Sequence, residues 1–271
     1  MINKKKIDDL LADYYKEYYK NQLGLPDYKD RVKLRLNEDN NCHIRYINWI
    51  EEWLNYDFSN KKILVVGCGT GSELINLKER GANVFGIEPN KDALDICHLK
   101  AKEHSIPEDN IISGFSESIL FKNNEFDFIY CFTVLEHVND VNLSVKEMVR
   151  CAKVGGKIFI GTPDYRQLYE GHYKLPLPMF LPVWFNKIIL AFLGRPTGFI
   201  DTINKVNSRG LYKIFKTLPV DSMRVYKSIQ NDKIKGKSKL SSFIKFLQNL
   251  IFNVFGVQLN QIWVLHKTPN S

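Results

Sequence analysis

A chain of 271 residues, 44% apolar and 13% aromatic, can bury one good core with a small appendage, and its 25% charged content excludes a disordered or collagen-like polymer. The formal net charge of +8 would suit an anionic partner, but the excess is scattered in short lysine groups such as 4–6 and 233–239. No arginine-rich block, zinc-finger spacing or aromatic RNA-binding strand accompanies them, which sets nucleic acid aside.

The first fifty or so residues read as helices, with Ile7, Leu10, Leu11 and Tyr14, and then Ile44, Ile47, Ile50 and Leu54, recurring at helical spacing on either side of Gly24-Leu25-Pro26. A cap over 1–60 is expected before a single domain over 61–271. From Lys61 the pattern changes to a buried strand, Ile63-Leu64-Val65-Val66, then a glycine-rich turn and a helix over 72–79. A strand over 83–87 ending at Glu88, a helix over 89–103, strands over 111–114 and 126–132, and a helix over 144–152 follow. Val154-Gly155-Gly156 reads as a tight turn into a strand over 157–161. Such alternation predicts an α/β fold, a doubly wound, Rossmann-like, seven-stranded and mostly parallel sheet with helices on both faces. Beyond Pro163 an irregular, proline-rich apolar insertion over about 165–207 precedes a helix over 208–217, a strand near 223–227, a helix over 240–255 and a last strand over 261–266.

Five cysteines, Cys42, Cys68, Cys97, Cys131 and Cys151, form no C-x-x-C pair; an odd number without secretory context points to a reducing compartment. Asp8 and Asp9 stand where a secretory leader needs an apolar run, so a cytoplasmic protein is expected.

The chemistry concentrates at Gly67-Cys68-Gly69-Thr70-Gly71-Ser72, where a buried strand meets a helix. Alternating glycines there allow positive φ and let a ligand approach the backbone. A dinucleotide fold would place a glycine at position 72, which is serine here. Glu88, about twenty residues on at the end of the second strand, is placed to hold two ribose hydroxyls, or else to cap the next helix, for which Pro89 is a suitable first residue.

Together with Phe126-Asp127-Phe128-Ile129 running into Leu135-Glu136-His137-Val138, and with the Val154-Gly155-Gly156 turn, these landmarks resemble a class I S-adenosylmethionine-dependent methyltransferase. More narrowly, the chain is similar to the ubiquinone-biosynthesis-like and polysaccharide-cluster small-molecule methyltransferases, best over residues 61–163. The resemblance implies S-adenosylmethionine as cofactor, with the Gly67–Gly71 loop beneath its methionine part, Glu88 and Pro89 at the ribose, Phe115, Ser116 and Glu117 flanking adenine, and Phe132 and Thr133 near the methyl donor. Phe115 stands where the family often has an aspartate. Arg45 is a candidate for the methionine carboxylate. His172 and His137 are candidate bases; each reads equally as a hydrogen-bonded structural histidine. No grouping at metal-ligand spacing is visible, so no metal is expected.

The implied activity is O-methylation of a small-molecule acceptor: a sugar or phosphate oxygen of a polysaccharide precursor, or a lipid-linked or quinone-like hydroxyl. A non-catalytic cofactor-binding protein of the same fold is the alternative. Residues 173–196 would form a lid, cover the sheet, build a homodimer interface, or lie on the inner face of a membrane with Lys174, Lys187 and Arg195 at the headgroups; their prolines exclude a simple span.

Overall fold

The computed structural model describes residues 4–37, 44–225 and 260–269. Helices α1 (Lys4–Lys16), α2 (Tyr28–Leu36) and α3 (Ile44–Leu54) precede the sheet, and a π-helical turn, Glu17–Gln22, extends α1. Strand β1 (Lys62–Val66), helix α4 (Ser72–Glu79), β2 (Asn83–Glu88), α5 (Lys91–Glu103), β3 (Ile111–Ser113), β4 (Phe126–Phe132), α6 (Val141–Cys151) and β5 (Ala152–Pro163) then alternate. Helix α7 (Val183–Phe192) and a 3-10 turn, Phe199–Thr202, lie in the insertion; α8 (Ser208–Phe215), β6 (Val220–Val225) and β7 (Asn260–Lys267) close the described chain.

The seven strands run in the order β3-β2-β1-β4-β5-β7-β6. Only β7 is antiparallel, to both β5 and β6. The chain winds outward from β1 to β3 and returns to β4 on the other side of β1, so the strand order reverses between β1 and β4. Ligands of doubly wound folds bind in the crevice beyond the carboxyl ends of strands at such a reversal.

Strand side chains alternate between two cores. Ile63, Val65, Phe128, Tyr130, Phe159 and Val264 face α3, α4 and α5, while Leu64, Val66, Ile129, Cys131, Ile158 and Leu265 face α6 and α8. The central strands are therefore buried on both faces, which is why they read as apolar runs. A third cluster joins the N-terminal region to the insertion: Tyr19, Leu23 and Leu25 pack with Tyr165, Tyr173, Leu177, Met179, Leu190 and Ile200. Helix α1 also docks Ile7 and Leu11 on Ile96 of α5.

Two helix starts differ from expectation where a side chain caps. Asn90 accepts a hydrogen bond from the Ala93 N–H at 2.9 Å, so α5 begins at Lys91 and Pro89 lies outside it. Asp140 accepts from the Leu143 N–H at 3.0 Å and starts α6 three residues before the expected 144. Each such cap is worth about 1 kcal/mol. The expected turn at 154–156 is an irregularity within β5, where pairing shifts between Phe126↔Ala152 and Phe128↔Lys157. The helix expected over 240–255 lies outside the described residues.

Candidate cofactor cleft and histidine cluster

Pairing of Val66 with both Ile87 and Cys131 brings the ends of β1, β2 and β4 level. The glycine loop leaving β1 therefore stands between Glu88 and Phe132. Gly67, Gly69 and Gly71 all have positive φ. The Glu88 carboxylate is buried, with Oε2 accepting from the Gly69 N–H at 2.9 Å and Oε1 from the Asn90 N–H at 2.9 Å. Burial raises its pKa, and those two backbone donors partly offset the rise.

A cavity of about 200 Å³ opens over this loop, floored by Val65 to Thr70, Ser72 and Glu73, walled by Tyr130, Phe132 and Thr133, and roofed by Tyr14, Tyr15, Tyr18 and Arg35. The roof is tied to the floor where the Tyr15 hydroxyl meets Thr70 Oγ1 at 3.0 Å. Burial pushes the Tyr15 hydroxyl pKa up, so it stays protonated and able to donate. The Arg35 guanidinium lies 5.2 Å from the Tyr15 ring centre and donates to the Tyr19 hydroxyl at 3.0 Å. Thr133 has φ of 56°, in the left-handed region that a β-branched residue rarely adopts. Its N–H donates to the Gly161 carbonyl and its Oγ1 to the Phe132 carbonyl, both at 2.7 Å.

Three residues beyond Thr133 the loop enters a second, polar grouping. Glu136 is wholly buried; its Oε2 accepts from Thr162 Oγ1 at 2.9 Å, while Oε1 has no hydrogen-bond partner. Burial raises its pKa. His137 is exposed to solvent on one side, and its Nε2 lies 3.3 Å from His172 Nε2. His172 comes from the insertion, with Nδ1 2.6 Å from Oε1 of buried Glu170. Burial alone would lower the His172 pKa, but the hydrogen bond to Glu170 and its charge raise it. The same contact, with the Tyr173 N–H on Oε2 at 2.7 Å, lowers the Glu170 pKa against the opposing effect of burial. Phe199 packs on both imidazoles, at 5.7 and 5.3 Å between ring centres, and on Tyr18 of the cavity roof at 5.7 Å.

The profile of the methyltransferase domain family matches residues 64–160, the stretch from β1 through most of β5. A ubiquinone biosynthesis O-methyltransferase of Pelagibacter ubique is 31% identical over 227 residues, which cover 79% of this chain and 88% of the relative. The chain belongs to the S-adenosylmethionine-dependent methyltransferase family. A demethylmenaquinone methyltransferase of Geobacillus sp. is also 31% identical, over 50% of this chain and 63% of its own length. The chain spans about half the length of the ubiquinone biosynthesis O-methyltransferases of Pseudomonas aeruginosa and Erwinia tasmaniensis. A solved S-adenosylmethionine-dependent methyltransferase of Archaeoglobus fulgidus shares the fold, with a TM-score of 0.52 at 17% identity over 82% of this chain and 94% of that one.

In this methyltransferase-family chain the cavity collects five of the expected cofactor residues, Gly67, Cys68, Gly69, Phe132 and Thr133, and Glu88 reaches it through Gly69. Gly71 caps α4 from just outside. Arg45 does not line the cavity; it is exposed, with its guanidinium 5.3 Å from the Tyr46 ring, and Arg35 is the arginine at the cleft. Pro89 is exposed. Phe115 is 57% exposed and open to a stacking partner. Ser116 and Glu117 turn inward: Ser116 Oγ meets Ser144 Oγ at 2.8 Å, and Glu117 Oε1 accepts from the Asn139 N–H at 2.7 Å, which ties their loop to the start of α6. The tyrosine roof escaped the sequence reading, although Tyr14, Tyr15 and Tyr18, at i, i+1 and i+4, share one edge of a helix.

Proposed function

We propose that the chain is an S-adenosylmethionine-dependent O-methyltransferase for a small molecule bearing a quinone-like hydroxyl. The fit of the cleft to the cofactor carries this reading. A Cβ built on Gly69 would meet no atom within 4 Å, so the backbone faces open space beside a carboxylate already anchored to it. Glu88 would hold the ribose hydroxyls, the Gly67–Gly71 loop the methionine part, Arg35 its carboxylate, and Phe115 one face of the adenine. When bound, the cofactor supplies a methyl group already activated on a sulfonium. The chain needs no nucleophile of its own and has only to place the acceptor oxygen in line and dispose of its proton. His137 and His172, linked to the cavity roof through Phe199 and Tyr18, are the groups for that proton.

The quinone-like acceptor is favoured over a sugar oxygen by the names of the relatives and by the insertion. Trp184, Ile188 and Phe192 of α7 stand four residues apart on one helix face, 63%, 59% and 90% exposed. Such a stripe suits a hydrocarbon-tailed acceptor drawn from a membrane surface. Among the described residues no helix is long and apolar enough to cross a membrane.

Calorimetry with S-adenosylmethionine and S-adenosylhomocysteine is the direct test. Micromolar binding of both, followed by methyl transfer to a hydroxylated quinone precursor, is expected. Binding without transfer to quinone, sugar or phosphate acceptors would favour a non-catalytic protein, and no binding would overturn the cofactor reading.

A further inference from the structure

We propose that Glu136, His137 and His172 form a binding site for a divalent transition-metal cation, with open positions for oxygen ligands. One ligand atom from each residue lies within 4.8 Å of the other two. The distance between the two Nε2 atoms, 3.3 Å, is the stronger observation. Nitrogens bound tetrahedrally at about 2.0–2.1 Å stand roughly 3.3–3.4 Å apart, so the imidazoles need little movement to share one ion.

The carboxylate carries the second, independent observation. Glu136 is 0% exposed and Oε1 has no hydrogen-bond partner. Leaving a buried carboxylate oxygen unmatched costs about 1–3 kcal/mol or more, and a cation supplies the missing partner. Thr162 Oγ1 holds the other oxygen.

The surroundings are those of a metal centre. Glu170 takes Nδ1 of His172 at 2.6 Å, which leaves the Nε2 lone pair for an ion; a carboxylate behind a ligating histidine commonly fixes the ring in this way. Without an ion, the His137 Nε2–H can donate to that lone pair; ligation through Nε2 moves that proton to Nδ1, so His137 binds the ion as its neutral Nδ1–H tautomer. Two imidazoles and one carboxylate suit zinc, iron(II), cobalt(II) or manganese(II) better than calcium or magnesium. Three protein ligands leave at least one position open, and the exposure of His137 gives access to it. For what fills that position the inference rests on the methyltransferase reading: an acceptor oxygen, whose hydroxyl would be acidified by the cation.

Cobalt(II) titration of the full chain, followed by its visible ligand-field absorption, tests the site. We expect one equivalent to bind with intense bands of a four- or five-coordinate ion. His137→Ala and His172→Ala should each weaken binding at least about tenfold, and Glu170→Gln should weaken it about 10–100-fold by releasing the His172 ring. Because His137 is exposed, its variant should melt near the wild-type temperature, so loss of cobalt there reports ligation and not unfolding. Absence of cobalt binding in the wild type, or equal binding in wild type and His137→Ala, would show a hydrogen-bonded histidine pair only and overturn the proposal. The titration contains no methyl donor, so cobalt binding without S-adenosylmethionine binding would sink the cofactor reading alone, and the converse the metal site alone.

Discussion

The candidate cofactor cleft and the histidine cluster adjoin at the carboxyl edge of the sheet, yet they are built by different means. The floor of the cleft is nearly contiguous in sequence, residues 65–73, and its shape is set by backbone dihedrals and by the Glu88 hydrogen bond. The cluster gathers Glu136 and His137 with a histidine 35 positions away on the insertion, and it is held by buried charge and ring contacts. A site made from one turn tolerates change around it and fails at single backbone positions. A site gathered from afar depends on the packing that brings its members together.

The sharpest separation of scaffold from ligand contact lies within the glycine loop. Gly71 has φ of 89°, and a Cβ there would meet Cys97 Sγ at 2.7 Å, whereas Gly69 has φ of 51° and open space. Gly71→Val should therefore combine backbone strain with a core clash and cost on the order of 3–5 kcal/mol, a fall of many degrees in Tm. Gly69→Arg should cost about 1 kcal/mol in strain but fill the cleft and lower S-adenosylmethionine affinity more than about 100-fold. Thermal melts and calorimetry on the pair check this; equal losses of stability would show that the loop is not divided as described.

A smaller effect is expected at Glu88. Glu88→Ala leaves the Gly69 and Asn90 N–H groups without their acceptor. A loss of about 1–3 kcal/mol in stability and of roughly 10–100-fold in cofactor affinity should follow. In the wild type, ribose hydroxyls would donate to the ionised carboxylate, whose pKa is raised by burial. Affinity should fall as pH drops through that raised pKa, above the range of an ordinary glutamate, and Glu88→Gln should remove this pH dependence. Stability has the opposite sign: a folded pKa above the unfolded one contributes stability at low pH that is lost as pH rises through the folded value. A wild-type affinity that is flat with pH would return Glu88 to a capping role.

The same contrast governs what the sequence could disclose. Buried strands announce themselves as apolar runs, and a glycine-rich turn followed by Glu88 is a local pattern, so the sheet and the floor of the cleft were legible. Helix starts at 91 and 141 depended on which of several polar residues reached back to cap. The roof needed the docking of α1 on α5, a contact between residues some 85 positions apart. His137 and His172 were visible one by one, but nothing in their spacing shows that their Nε2 atoms meet or that Glu170 orients one of them. Arg45 on α3 and Arg35 on α2 are alike in charge, and only the docking of the N-terminal helices brings Arg35 and not Arg45 to the cleft.

The smallest effects on fold and cofactor are expected on the exposed face of α7, a ten-residue helix whose other face is buried. Leu190 is wholly buried in the cluster that joins insertion and N-terminal region, so Leu190→Ala should cost about 2–5 kcal/mol. The exposed stripe should behave oppositely. Trp184→Ser, Ile188→Ser and Phe192→Ser together should leave Tm and cofactor affinity almost unchanged, since exposed positions contribute within about 0.5 kcal/mol each. Their effect should appear on anionic vesicles. If the three side chains enter the headgroup region, each contributes about 1.5–3 kcal/mol when fully buried, and the triple variant should lose flotation that the wild type shows. The basic residues expected at the headgroups are largely engaged within the fold: Lys187 pairs with Asp201 at 2.6 Å, and Arg195 donates to the Gly24 carbonyl. Attachment should therefore rest on apolar area and survive high salt. Flotation abolished by salt, or unchanged in the triple variant, would remove α7 from the membrane reading and leave the stripe free to pack against another protein surface.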